Sequence, residues 1–211
     1  ENCLVTVVTL GVVQEDHVIH SYAPKNADNY VFILVGKPTD NSGFGGASFA
    51  SAELSEENQE KNKGAVQEPN AFLKRHLLKA NTALFKILQD KKLIDQVGFK
   101  DLGAGGVACA SVEIAEAAGY GAEVDLEKVH ISMENLHPSV ILCSETQERF
   151  MWCVPPELVD LILTHYNQTF ALPEISHGAK ASVVGKIRTD GLYVVNYNGV
   201  ELVNAKAVSY T

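Results

Sequence analysis

Apolar positions fall in short blocks along the chain, and the period within the blocks changes from strand-like to helical and back. Leu4 to Val13 is dense in Val, Thr and Leu, and Val18-Ile19 follows the polar turn Gln14-Glu15-Asp16-His17, which predicts a β-hairpin. Tyr22 to Asn29, with Pro24 among polar residues, reads as a connector. Tyr30 to Val35 is a continuous apolar run, the pattern of a strand buried on both faces. Gly36 to Ser51 is a glycine-rich loop running into small residues, and Glu53 to Lys63 is almost wholly polar, so an exposed loop is expected there. Asn70 then caps a helix from Ala71 to about Lys92, with Phe72, Leu77, Ala80, Leu84 and Ile87 or Leu88 on one face. Lys91 and Lys92 suit its carbonyl end.

The second half repeats the alternation with shorter elements. A brief apolar approach at Phe99 leads to Asp101, the glycines 103, 105 and 106, and an alanine-rich helix from Val107 to Ala118 closed by Gly119 and Gly121. Ala122 to Leu126 resumes strand character. Val140 to Cys143 reads as a strand that delivers the polar island Ser144 to Arg149 before Phe150 to Val154 turns apolar again. Polar groups so placed must be hydrogen-bonded or open to a cleft, because each one buried unsatisfied costs about 1–3 kcal/mol. Pro155-Pro156 opens an amphipathic helix through Leu158, Leu161, Ile162 and Tyr166. Ala181 to Ile187 is a strand, and the turn signals Asp190-Gly191 and Asn198-Gly199 predict a closing β-meander. Helices alternating with strands in the middle and hairpins at both ends predict an α+β fold with a mixed sheet and packed helices.

Length and charge narrow the function classes. At 211 residues the chain can bury a full core, as one domain or one plus a fragment. A formal net charge of -9, with no basic stripe, argues against nucleic acid as a partner. No apolar run reaches bilayer-spanning length and no signal peptide leads the chain, so a cytoplasmic protein without membrane contact is expected. Cys3, Cys109, Cys143 and Cys153 lack zinc-type spacing and sit in apolar surroundings, as reduced, buried thiols do. The chain starts at Glu1 and enters a strand pattern almost at once, which suggests a piece of a longer polypeptide.

The stretch from Asp101 to Val107 carries the clearest chemistry. Its glycines permit positive φ and close approach of backbone to an anion, and the helix that follows offers unpaired N–H groups. Asp101 stands where a carboxylate could hold Mg²⁺ together with substrate phosphates and water. The alternative is a carboxylate that caps a turn beside glycines that only allow tight packing. Cys109 could be a nucleophile, but no His neighbours it in sequence and core packing is the simpler role.

Three stretches together, NSGFGGASFAS, DLGAGGVACASVEIA and ILCSETQERF, resemble the phosphoribosylformylglycinamidine synthases of purine biosynthesis, in order and spacing and over essentially the whole chain. The resemblance implies a C-terminal lobe of the aminoimidazole ribonucleotide synthetase superfamily at residues 24–211, with residues 1–23 as the last hairpin of the preceding N-terminal lobe. It implies an ATP- and Mg²⁺-dependent conversion of the formyl amide of formylglycinamide ribonucleotide to an amidine, with ammonia supplied by a glutaminase domain or subunit. On the matching positions, Asp101 is the implied Mg²⁺ ligand, and Gln67, Glu145, Thr146 and Gln147 are the implied substrate contacts. The family's catalytic histidines and main ATP-binding residues fall in lobes outside this sequence, so the resemblance implies no catalytic residue here.

Two departures from the family pattern stand out. Gln67-Glu68-Pro69-Asn70-Ala71-Phe72 replaces Gln-Val-Gly-Asp-Pro-Phe, and Asn41-Ser42 replaces an Arg-Asp pair, which removes a rigid, permanently charged phosphate donor. Three readings follow: an enzyme lobe that contributes Mg²⁺ and substrate contacts, a non-catalytic lobe that holds a nucleotide or a partner, and a divergent relative acting on another amide.

Overall fold

β1 (Val31–Gly36) runs through the middle of the molecule with strands on both sides and helices over both faces. Its run VFILVG has no polar position because neither face meets water: Phe32 and Leu34 enter one core, Ile33 and Val35 the other. The computed structural model describes residues 7–45 and 66–207. Within them the remaining strands are β2 (Gly98–Asp101), β3 (Gly121–Asp125), β4 (Arg149–Val154), β5 (Lys180–Arg188), β6 (Leu192–Tyr197) and β7 (Val200–Lys206). The sheet order is β2-β4-β1-β5-β3-β6-β7. Neighbours are antiparallel except β3 with β6, so the sheet is mixed and the architecture is α+β as expected.

Helix α1 (Ala71–Asp90) covers one face and α2 (Gly106–Glu116) with α3 (Pro138–Cys143) the other. Asn70 caps α1 as predicted, its side chain accepting from Leu73 N at 2.9 Å. Leu73, Leu77, Ala80, Leu84 and Leu88 are buried against Ile33, Val35, Trp152 and Val154. Each large side chain so buried contributes about 1.5–3 kcal/mol. Phe72 departs from the expected stripe and is 69% exposed, because Leu73 takes the core position one residue later. Helix α2 closes on Gly119 at φ +83, with Gly119 N bonded to Glu116 O and Tyr120 N to Ala115 O, the two bonds of a Schellman cap. On the α1 side of the sheet, α4 (Val159–Thr164) and α5 (Leu172–Ile175) complete the layer.

Three expectations are corrected. Residues 7–14 form no strand, and Val7, Val8, Leu10, Val12 and Val13 are exposed. A β-rich run needs a partner strand, and among the described residues this segment has none until His20 bridges Gly98 at the β2 edge. Val140 to Cys143 lies in helix α3, not a strand. Pro138 occupies its first turn and His137 caps it, accepting from Ser139 N, and four apolar residues alone do not distinguish the two states. The expected C-terminal meander is half present. Asn198-Gly199 joins the β6-β7 hairpin, but β3 inserts between β5 and β6, so Asp190-Gly191 turns the chain without closing a hairpin. The polar loop Glu53 to Lys63 and Cys3 lie outside the described residues, as does the glycine-rich loop beyond Gly45.

Candidate functional site

The strand registers bring the C-terminal ends of β1 and β2 and the N-terminal end of β4 to one end of the sheet, with Gly36 opposite Arg149 and Asp101 opposite Phe150. The glycine-rich loop after β1, the Asp101 loop after β2 and the polar island before β4 are therefore neighbours. Asp101 is exposed at this rim, as are Gly103 and Ala104. Gly105 and Gly106 take φ of +73 and +55 and lead into α2. A Cβ on Gly106 would lie 2.2 Å from Ser144 O, so only glycine lets the Asp101 loop press against the island.

Gln67, Glu145 and Gln147 meet at this end. Gln67 Nε2 donates to Glu145 Oε2 at 2.9 Å, and Gln147 Nε2 donates to Gln67 Oε1. Gln67 and Gln147 are half-buried and Glu145 is buried. Thr146 is placed differently. It is wholly buried, and its hydroxyl donates to Asp40 Oδ1 at 2.9 Å. The four expected substrate contacts thus separate into three carboxamide and carboxylate heads on one side of the segment and a hydroxyl engaged inside the protein.

Sequence reasoning passed over Asp40 and Arg149. Arg149 is 2% exposed and its guanidinium spans the segment: Nε donates to Thr146 O at 3.0 Å, Nη1 to Thr39 Oγ1 at 2.7 Å and Nη2 to Ser144 O. Burial lowers its pKa to about 10, with Asp40 acting in the opposite sense, so it stays charged at neutral pH. A signal for Asp40 was present: Asp two residues before Ser in a turn favours the Asx geometry found here, Ser42 N to Asp40 Oδ1 at 3.0 Å. An arginine leading an apolar strand carries no comparable signal.

Among the described residues no group of three or more His, Cys, Asp or Glu side chains could enclose a metal ion. Asp101 is a single exposed carboxylate, and a cation of the Mg²⁺ kind is one that can bind through one or two carboxylates with phosphate and water completing its shell. Burial raises the Cys109, Cys143 and Cys153 thiols, which keeps them protonated and fits packing and not nucleophilic attack. A separate cavity of about 550 Å³, lined by Lys128, His130, Lys180 and Tyr197 among others, contains none of the expected site residues. Among the described residues no helix is long and apolar enough to cross a membrane.

A sheet with helices on both faces and a glycine loop facing a polar strand-end segment defines a class, and the chain falls in it. Residues 28–198 match the family of AIR synthase related proteins, C-terminal domain, and the chain belongs to that family. Within the family it is similar to the phosphoribosylformylglycinamidine synthase subunit PurL of Methanothrix thermoacetophila, 49% identical over 205 residues, which cover 96% of this chain and 26% of the relative. It is also similar to the structure of Thermotoga maritima PurL complexed with FGAR, with a TM-score of 0.77 and 27% identity, covering 95% of this chain and 32% of that one. The T. maritima PurL complex with ATP shares the fold at a TM-score of 0.70 and 24% identity, covering 95% and 30%. The chain spans about a quarter of the length of the curated relatives it matches.

Proposed function

We propose that this chain is one lobe of a phosphoribosylformylglycinamidine synthase, an ATP-dependent C–N ligase of purine biosynthesis, and that it supplies substrate and Mg²⁺ contacts. The observation that carries this reading is the hydrogen-bonded set Gln67, Glu145 and Gln147 beside an exposed glycine loop at one end of the sheet. Carboxamide and carboxylate heads donate and accept in fixed directions, which suits the amide and ribose of formylglycinamide ribonucleotide. The glycine loop and the N-terminus of α2 suit its phosphate or that of ATP. Asp101 would hold Mg²⁺, which neutralises phosphate charge when bound. Residues 1–23 belong in this reading to the preceding lobe and residues 24–211 to the present one. The remaining lobes of the synthase and a glutaminase that delivers ammonia are its partners, and the cytoplasm is its compartment.

Catalysis in this lobe is positioning. Gln147 holds Gln67, and Gln67 holds Glu145 in one orientation, so that a bound amide meets prearranged partners and loses less entropy on reaching the reactive geometry. Titration of the parent synthase with formylglycinamide ribonucleotide tests the reading. Glu145→Gln and Gln67→Ala should each weaken binding by about tenfold or more, since a charged hydrogen bond is worth about 1.5–3 kcal/mol. Parental affinity in both variants would remove the substrate site from this lobe.

A further inference from the structure

The extended segment between α3 and β4 sorts its side chains by parity, as a strand does. Glu145 and Gln147 turn toward Gln67, whereas Ser144 and Thr146, both 0% exposed, turn the other way toward the loop after β1. There Thr146 meets Asp40. Its Oδ1 accepts from Ser42 N at 3.0 Å, Ser42 Oγ at 2.5 Å and Thr146 Oγ1 at 2.9 Å, and its Oδ2 pairs with Lys37 Nζ at 2.7 Å. The Asp40 N–H donates back to Thr146 Oγ1 at 3.1 Å, and Ser144 Oγ donates to Ser42 O at 2.7 Å.

The loop that Asp40 anchors touches both groups on the opposite side. Gly43 N donates to Val66 O at 3.1 Å, next to Gln67, and Gly43 O accepts from Glu145 N at 3.3 Å. A Cβ on Gly43 would fall 2.9 Å from Gln67 Cγ and 3.1 Å from Glu145 Cβ, so the bare backbone of Gly43 is the floor on which both side chains rest.

We propose that Asp40 is a positioning residue for substrate binding, its carboxylate latching the loop to Thr146 so that Gly43 sets the spacing of Gln67 and Glu145. The inference rests on the reading of Glu145 and Gln67 as substrate groups. It assigns the Thr146 hydroxyl to the latch and not to the substrate. It also gives Ser42 a function: where the family pattern has the Asp of an Arg-Asp pair, Ser42 donates twice to Asp40, a carboxylate two positions earlier. Only an ionised carboxylate, an acceptor at every lone pair, serves all these donors and Lys37 together. An amide at position 40 would set an N–H against either Lys37 or the three donors.

Steady-state kinetics of the parent synthase tests the latch with Thr146→Val, Thr146→Ser, Asp40→Asn and Glu145→Gln. Thr146→Val keeps the shape and removes the hydroxyl. It should raise KM for formylglycinamide ribonucleotide about tenfold while KM for ATP stays within about twofold. Thr146→Ser should restore the ribonucleotide KM to within about threefold of the parent. The double variant Asp40→Asn/Thr146→Val should fall clearly short of the product of the two single effects, since both disturb the same carboxylate–hydroxyl contact, Thr146→Val additionally losing the bond from the Asp40 N–H. Should Asp40→Asn fail to fold, the Thr146→Val and Thr146→Ser pair decides alone. If Glu145→Gln raises the ribonucleotide KM and Thr146→Val leaves it within twofold, or if the effects of Asp40→Asn and Thr146→Val multiply, the latch is overturned and the substrate site stands. If Glu145→Gln also leaves it unchanged, the substrate site and the latch fall together.

Discussion

A Cβ on Gly36 would lie 2.0 Å from the carbonyl oxygen of Glu148, and the backbone at Gly36 has φ +124. Here β1 leaves the sheet and Lys37 N bonds that same Glu148 oxygen at 3.1 Å, so the two loops of the site are pinned at the point where their strands end. Gly36→Ala meets backbone on one side and a forbidden φ on the other. Its expected cost is more than about 4 kcal/mol, the range reserved for severe overpacking and strain. Gly199→Ala is the control. Its φ of +73 is similarly left-handed but nothing lies within 4 Å of the added carbon, so about 1–2 kcal/mol is expected. Chemical unfolding of the two variants checks the difference; equal losses would mean that the Gly36 contact relaxes freely.

Acid should destabilise the protein through His130. Burial lowers its pKa to about 4, with Lys180 and Arg149 adding to the effect and the bond to Gly36 O opposing it. Nε2 lies 3.1 Å from Gly36 O and Nδ1 3.1 Å from Ser182 Oγ, which suits a neutral ring donating through Nε2. The unfolded chain takes up a proton near pH 6.5 and the folded one only near pH 4. The contribution is thus complete above about pH 6.5 and lost as pH falls toward 4, a loss of about 3 kcal/mol in all. The Asp40 carboxyl is likewise held below its ordinary range. Desolvation raises its pKa, but Lys37, Ser42 and Thr146 outweigh it, so its carboxylate stays ionised to lower pH and its contribution is lost only below that window. His130→Gln should flatten the stability profile between pH 6.5 and 4, read from urea midpoints; an unchanged slope would place the acid sensitivity elsewhere.

Legibility from sequence followed the range of the forces involved. Asn70, the α1 stripe and the Gly119 cap were readable because capping and helical period act within a few residues. The β1 run was readable because burial on both faces leaves no polar position. Helix α3 was misread because four apolar residues suit either state, and the choice was made by Pro138 and His137 ahead of them. The insertion of β3 between β5 and β6 leaves no local mark at Asp190-Gly191. At the site, the resemblance names Gln67, Glu145, Thr146 and Gln147, but the bond from Thr146 to Asp40 joins two loop residues 106 positions apart and leaves no mark in the sequence.

Arg149 should matter more for stability than its distance from any exposed surface suggests. Its three donors satisfy Thr146 O, Ser144 O and Thr39 Oγ1, so Arg149→Met strands three acceptors while filling the space. Each unsatisfied polar group costs about 1–3 kcal/mol, and a total loss of about 3–5 kcal/mol is expected. Arg149→Lys keeps the charge but not the planar fork, and should recover less than half of that loss. Thermal unfolding of both variants is the measurement, and a lysine variant as stable as the parent would show that charge alone holds the segment.

Asp101 gives the prediction that separates a metal ligand from a turn residue. It ends β2, paired with Phe150, and its side chain is exposed where the chain enters the loop before Gly103 and Gly105. Asn keeps the size and one acceptor oxygen and removes the charge that a hard cation requires. In the parent synthase, Asp101→Asn should raise the Mg²⁺ concentration for half-maximal activity by about tenfold or more, while chemical unfolding of the chain without metal moves by less than about 1 kcal/mol. A turn residue gives the opposite pattern, since loss of a local carboxylate contact lowers stability and leaves the metal dependence alone. Direct Mn²⁺ titration by electron paramagnetic resonance adds a readout independent of turnover. Undiminished Mn²⁺ binding in Asp101→Asn would take the metal away from this loop even if activity fell.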